Sequence, residues 1–67
     1  MTDYTNSQIA AIIDEHIHNR MHRVILKARF IDGMTYEAIA ALEDVDRTPR
    51  QVAYIISKNV LRLERYL

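Results

Sequence analysis

The sequence predicts a small all-α domain of about four helices. Three observations support this fold class. Apolar residues recur at intervals of three and four along most of the chain. The 67 residues include one glycine and one proline, so residues that break helices are scarce. Threonine or serine stands just before several apolar stretches, where a helix N-cap is expected.

The first two helices are predicted from their apolar stripes. Helix one covers about residues 7–18, begins after an N-cap at Thr5 or Ser7, and carries the isoleucine stripe Ile9, Ile12, Ile13 and Ile17. Helix two carries Met21, Val24, Ile25, Ala28 and Ile31. It ends at Asp32-Gly33, because glycine adopts the left-handed conformation that closes a helix.

The third helix is predicted to be short. Thr35 is positioned to cap a helix over about residues 36–43, whose inward side chains are Ile39, Ala40 and Leu42. The fourth helix has a clearer start, because Thr48-Pro49-Arg50-Gln51 is a capping box with proline at the first helical position. It is predicted to continue to the C-terminus with the apolar face Val52, Ile55, Ile56, Val60, Leu63 and Leu67.

Asn59 falls on the apolar face of this last helix. A buried amide without a partner is costly. We expect a structural hydrogen bond to a neighbouring helix end, in preference to a polar contact that fixes the register of a dimer.

Residues 23–67 follow the order of a helix-turn-helix: a scaffold helix, a short capped helix, a turn and a long capped helix. Within them, RVILKARFIDGMTYEAIA at positions 23–40 resembles the fourth conserved region of bacterial sigma factors. In that family an apolar helix ends in RF.(D/E)G, and (L/M)(S/T)YEEIA follows. The resemblance covers residues 20–67, leaves residues 1–19 outside, and extends to small sigma-like regulators that phages encode.

The resemblance implies a single helix-turn-helix domain that acts as a transcription regulator. Its last helix would enter the major groove of double-stranded DNA, and RNA polymerase would be a frequent partner. The chain departs from the family pattern in two places. Ala38 replaces a glutamate that would complete a capping box with Thr35, and the stretch over 45–52 is two residues longer than usual.

Helical spacing separates an outward face on the last helix from its apolar face. The candidate DNA-binding residues are Arg47, Thr48, Arg50, Gln51, Tyr54, Ser57, Lys58 and Arg65. Arg50 and Gln51 occupy the first turn and suit guanine and adenine edges, respectively. Lys58 and Arg65 suit phosphates, as does Thr48 with the free N–H groups of the helix start.

Charge is balanced overall but alternates along the chain. Segments 1–19, 20–29, 30–46 and 47–67 carry net charges of −3, +4, −5 and +4, which sum to zero. Zero net charge and the acidic third segment support an alternative function, a protein-interaction module that contacts RNA polymerase or another regulator without significant DNA binding. A homodimer is a further expectation, formed through the isoleucine helix or through exposed Tyr54 and Leu61.

Several function classes lack the residues they require. With no cysteine, the chain has no disulfide or thiolate chemistry. The apolar runs are too short for a membrane span and the N-terminus is unlike a signal peptide, so we expect a cytoplasmic protein. No arrangement of nucleophile, base and orienting group is apparent, so neither an enzyme nor a cofactor is expected.

Three histidines raise the question of a metal site. His18 and His22 stand one helical turn apart, Asp14 precedes His18 by one turn, and His16 is nearby. No fourth ligand is evident in the sequence, so solvated histidines are favoured over a zinc site.

Overall fold

The computed structural model describes residues 4–66, which form four α-helices around one apolar core. The helices are α1 (Asn6–His16), α2 (Arg20–Phe30), α3 (Tyr36–Ala40) and α4 (Pro49–Leu63), and a 3₁₀ turn at Glu64–Tyr66 follows. No β-strand occurs within residues 4–66. The predicted all-α class of about four helices is confirmed.

Each α-helix begins at a polar side chain that accepts a hydrogen bond from the third helical residue. The capping residues Thr5, Asn19, Thr35 and Thr48 each accept from a backbone N–H at 3.1 Å. Thr5, rather than Ser7, is the cap of α1. These bonds satisfy amide groups that have no partner inside a helix, which defines where each helix starts.

The first helix ends two residues earlier than the predicted His18. Ile17 has extended backbone angles and only 1% of its surface is exposed. Its backbone N–H still bonds to Ile13, while its carbonyl accepts a hydrogen bond from the Arg23 guanidinium. His18 therefore lies in the connection between α1 and α2. The Ile17 side chain before it is buried in the core, and Asn19 after it caps α2.

The second helix ends at Phe30, ahead of the predicted Asp32-Gly33, whereas Gly33 has the predicted left-handed conformation, with a φ of 68°. The turn that follows is held by Arg29. Its Nη1 donates to the Met34 carbonyl oxygen at 2.9 Å, and its guanidinium carbon lies 4.6 Å from the centre of the Tyr36 ring. One side chain of α2 thereby contacts both the turn and the start of α3.

The third helix ends at Ala40, so the predicted end at Glu43 is wrong. Beyond it the Leu42 carbonyl accepts from the N–H groups of Val45 and Asp46, at 3.0 and 2.9 Å. This turn buries Val45, which is 2% exposed, and leaves Asp46 with a φ of 46°. The helix ends here because the turn places the Val45 side chain in the core, which removes apolar surface from water. The hydrogen bonds of the turn satisfy backbone groups that a longer helix would have paired.

The core collects apolar side chains from every helix and from the α3–α4 connection. Its buried members are Ile13, Ile17, Ile25, Leu26, Ala28, Ile39, Ala40, Val45, Val52, Ile56 and Leu63. The fourth helix packs against the other three, so it is the central element of the fold. On the surface, Lys27 Nζ and Asp14 Oδ1 form an ion pair between α2 and α1 at 2.7 Å.

The α-helical part of α4 ends at Leu63, so the prediction of a helix running to the C-terminus is wrong. In the 3₁₀ turn the Tyr66 ring stacks on His16 of α1, with centroids 3.5 Å apart and planes 8° from parallel. This contact joins the 3₁₀ turn to the C-terminal end of α1. Leu67, predicted to extend the apolar face, lies outside the described residues.

Candidate nucleic-acid interface

The outward face of α4 contains most of the candidate DNA-binding residues. Arg50, Tyr54, Ser57 and Lys58 are exposed, as is Arg65 in the following turn. The opposite face holds Val52 and Ile56 in the core. Between positions 49 and 63 the helix has three cations and no carboxylate, so every charge on its solvent side is positive.

The first turn of α4 is fixed by a complete capping box. The Thr48 hydroxyl accepts from the Gln51 N–H at 3.1 Å, and Gln51 Oε1 accepts from the Thr48 N–H at 3.1 Å. A glutamine that contacts adenine in the bidentate manner uses its carbonyl oxygen as the acceptor. In Gln51 that oxygen is already engaged, so this residue maintains the helix start in the free protein.

Arg47 is also engaged with its own backbone. Its Nη1 donates to the Val45 and Asp46 carbonyl oxygens, at 3.3 and 3.0 Å. These bonds stabilise the turn in which Asp46 adopts a left-handed conformation. The sequence-based assignment placed Arg47 among the DNA-binding residues, and the structure gives it a structural contact as well.

Arg50 differs from Gln51 and Arg47 in the state of its side chain. Its guanidinium forms neither a hydrogen bond nor an ion pair with any residue between 4 and 66. It stands in the first turn of α4, on the exposed side, immediately after the capping threonine and proline. Its five N–H donors are therefore available to an external acceptor without loss of an existing bond.

Further along the helix the outward face combines cations with apolar surface. The Lys58 ammonium lies 5.6 Å from the centre of the Tyr54 ring, one turn away. Tyr54 is 63% exposed and Leu61 is 67% exposed. The predicted exposure of these two large side chains is confirmed, and it gives the face a mixed character.

Asn59 lies on the inner side of α4, where it is 5% exposed and hydrogen-bonded. Its Nδ2 donates to the Ile55 carbonyl oxygen at 2.8 Å and lies 3.3 Å from Nδ1 of His22, in the first turn of α2. An amide nitrogen only donates, so His22 Nδ1 is the acceptor and the ring proton is on Nε2. The expected structural bond to a neighbouring helix end is confirmed.

His22 and the second half of α4 border an open cavity of about 340 Å³. Its lining residues are His22, Tyr54, Ile55, Lys58, Asn59, Leu61 and Arg62. We name this cavity the α2–α4 groove. Burial, followed by the nearby Arg62 guanidinium, lowers the pKa of His22. The groove is not apparent in the sequence, because its two sides lie 32 to 40 positions apart and only Asn59 indicates a polar contact there.

The three histidines have separate environments. His16 stacks on Tyr66, His22 bonds to Asn59, and His18 is exposed. The expectation of three solvated histidines is therefore wrong for His16 and His22. Within the described chain no three histidine, cysteine or acidic side chains lie in an arrangement that would hold a metal ion.

Comparisons with protein-family models, curated proteins and solved structures found no match to this chain. Among the described helices, none has the length and apolar character needed to cross a membrane.

Proposed function

We propose that this protein is a sequence-specific DNA-binding helix-turn-helix protein of the sigma region 4-like type, acting as a small transcriptional regulator. In this proposal α3 supports α4, and the first turn of α4 enters the major groove of double-stranded DNA. Arg50 contacts base edges, and Lys58 and Arg65 contact phosphates.

The observation that carries the proposal is the state of Arg50. This arginine is exposed at the start of a 15-residue capped helix, and it is free of internal partners among residues 4–66. Arginine bound to guanine O6 and N7 is the commonest specific contact between proteins and DNA, and it is typically made from the first turns of a recognition helix. The absence of acidic residues from α4 removes repulsion of the phosphate backbone.

The test compares two cations of α4 on two kinds of DNA. A preferred duplex is first selected from a pool of genomic fragments, and binding is then measured by fluorescence anisotropy across a salt series. Arg50→Ala should weaken binding to the preferred duplex by about 5- to 150-fold and weaken binding to random DNA far less. Lys58→Ala should weaken both alike and reduce the salt dependence by about one counterion.

Arg20→Ala is the matched control, because Arg20 is an exposed cation outside α4. Its charge loss should change preferred and random binding equally and slightly. Equal losses on both DNAs for Arg50→Ala would remove Arg50 from base recognition. Failure of the protein to bind any duplex at low salt would reject the proposal.

A second candidate function is a protein-interaction module that contacts RNA polymerase or another regulator. The exposure of Tyr54 and Leu61 on one face favours it, since exposed apolar groups close together mark protein contact sites. Leu61→Ser should then abolish capture of purified RNA polymerase and leave the helical circular dichroism of the protein unchanged, since this side chain is mostly exposed. If polymerase is not captured by the unmodified protein, this candidate loses its named partner.

A further inference from the structure

The α2–α4 groove combines Lys58, one of the proposed phosphate contacts, with two basic residues that the proposed DNA contacts do not include. Lys58 and Arg62 come from α4, and His22 comes from α2. In the described part of the chain, Arg62 has no ion pair, and no residue lining the groove is acidic. Two permanent positive charges therefore face one cavity without an internal counter-charge.

The walls of the groove strengthen the field of these charges. Tyr54, Ile55 and Leu61 provide apolar surface beside them. Low-dielectric walls around charges of one sign concentrate the potential within a cleft and attract counter-ions to it. The ligand class favoured by this arrangement is an anion with several acceptor oxygens.

His22 adds a fixed hydrogen-bond donor to the groove. Because its Nδ1 accepts from Asn59, its proton is on Nε2, and the ring is held in one orientation. An anion in the groove would accept from this N–H. Burial and then the Arg62 guanidinium lower the pKa of His22, and the anion would offset the second of these causes.

The groove flanks the outward face of α4, since Lys58 and Arg62 lie roughly 80° and 120° around the helix axis from Arg50 at about 100° per residue. Lys58 and Arg62 follow Arg50 by eight and twelve positions, which at 1.5 Å per residue is about 12 and 18 Å along the helix axis. Arg50, Tyr54, Lys58 and Arg62 are spaced by four residues and thus form one ridge. A duplex contacted by Arg50 would bring its backbone to this ridge, which favours a DNA phosphate over the carboxylates of a protein.

We propose that the α2–α4 groove is an anion site that binds a phosphodiester of the DNA backbone through Lys58, Arg62 and Nε2–H of His22. Asn59 is a positioning residue, since it orients the His22 ring without reaching the ligand. The inference rests on the proposed function and adds His22 and Arg62 to its contacts.

The test follows the three histidine rings by two-dimensional ¹H–¹⁵N NMR. Inorganic phosphate is titrated first, and the preferred duplex second. Both should shift the His22 resonances and raise its pKa, while the exposed His18 serves as an internal control. Arg62→Gln should abolish the response to phosphate and lower the salt dependence of duplex binding by about one counterion. Arg20→Gln removes the same charge at an exposed position that neither lines the groove nor belongs to the proposed DNA contacts, and should preserve the response of His22.

The outcomes separate this inference from the proposed function. If the duplex binds but the His22 ring does not respond, the groove is not a phosphate site, and the proposed function still stands. If phosphate shifts His22 but no duplex binds, the proposed function fails, and the DNA backbone is rejected as the ligand. A polyglutamate peptide that shifts His22 more strongly than the duplex would also overturn the inference, in favour of an acidic protein partner.

Discussion

The inner and outer faces of α4 differ in the burial and hydrogen bonding of their side chains. On the inner face Val52, Ile56 and Leu63 are almost completely buried, and the one polar residue, Asn59, has hydrogen-bond partners. On the outer face Arg50 is unpaired within residues 4–66 and Leu61 is 67% exposed. The inner face determines where the helix sits, whereas the outer face leaves its donors and apolar surface available to a partner. Substitutions on the inner face should change stability, and those on the outer face should change binding.

The largest difference is expected from truncating one apolar side chain on each face. Ile56→Ala should lower the free energy of unfolding by about 3 kcal/mol, because it leaves a cavity in the core. Leu61→Ala should change it by less than about 0.5 kcal/mol, since this side chain is mostly in solvent. Urea unfolding followed by circular dichroism measures both values. Equal losses would mean that Leu61 is buried in solution, as it would be in a dimer.

The polar residue of the inner face should have the next largest effect. Asn59→Ala removes the donor to His22 Nδ1 and to the Ile55 carbonyl, and should lower the free energy of unfolding by about 1–2 kcal/mol. Ser57→Ala on the outer face is the control and should have no measurable effect on stability. If Asn59→Ala unfolded no more easily than this control, the Asn59–His22 bond would contribute nothing to the packing of α4 on α2.

A smaller effect on stability is expected at the N-cap of α4, where both faces begin. Thr48→Ala deletes the hydroxyl that accepts from the Gln51 N–H and should lower the free energy of unfolding by about 1 kcal/mol. Thr48→Ser retains a hydroxyl cap and should recover most of that loss. Thermal unfolding of the three proteins provides the comparison. An unaltered melting temperature in Thr48→Ala would show that packing alone sets the start of α4.

The smallest change in the free energy of unfolding is expected from acidification, through His22, the partner of Asn59 on the inner face. Burial and then Arg62 hold the pKa of His22 below its usual value of about 6.5, which applies to the unfolded chain. The unfolded chain therefore binds more protons as the pH falls below about 6.5, and the free energy of unfolding decreases through that window down to the lower folded pKa. The basic side chains of Lys58 and Arg62 share the groove with His22.

The control for this prediction is His22→Gln. Glutamine offers an amide oxygen that accepts from Asn59 and does not titrate. The pH dependence just below about 6.5 should be flatter in this variant than in the unmodified protein. Parallel profiles would assign the acid sensitivity to the other titratable groups and not to His22.

Local patterns predicted the starts of the helices better than their ends. The start of α4 follows from four consecutive residues, because a capping box is satisfied within one turn. The ends of α1 and α3 depend on Ile17 and Val45, which leave the helices to enter a core assembled from distant parts of the chain. Periodicity alone assigned those ends two and three residues too late.

The candidate site was predictable to a similar extent. The exposure of Arg50 and Lys58 follows from helical spacing. The capping box visible in the sequence also accounts for the hydrogen bond that the Gln51 side-chain oxygen accepts from Thr48. That bond limits the adenine contact expected of Gln51. The juxtaposition of His22 with Arg62 depends on the packing of α2 against α4, which no local pattern contains.

The connection between α3 and α4 has a consequence for the speed of folding. Its hydrogen bonds join residues at most seven positions apart, as in the bond from Arg47 N to the Ala40 carbonyl, and Arg47 also bonds to its nearest neighbours. Such a turn closes with little loss of chain entropy. Helical proteins dominated by local contacts fold in microseconds to milliseconds, so we expect this chain to fold within that range. Docking of α1 on α4 closes the longest loop and should be the last contact to form.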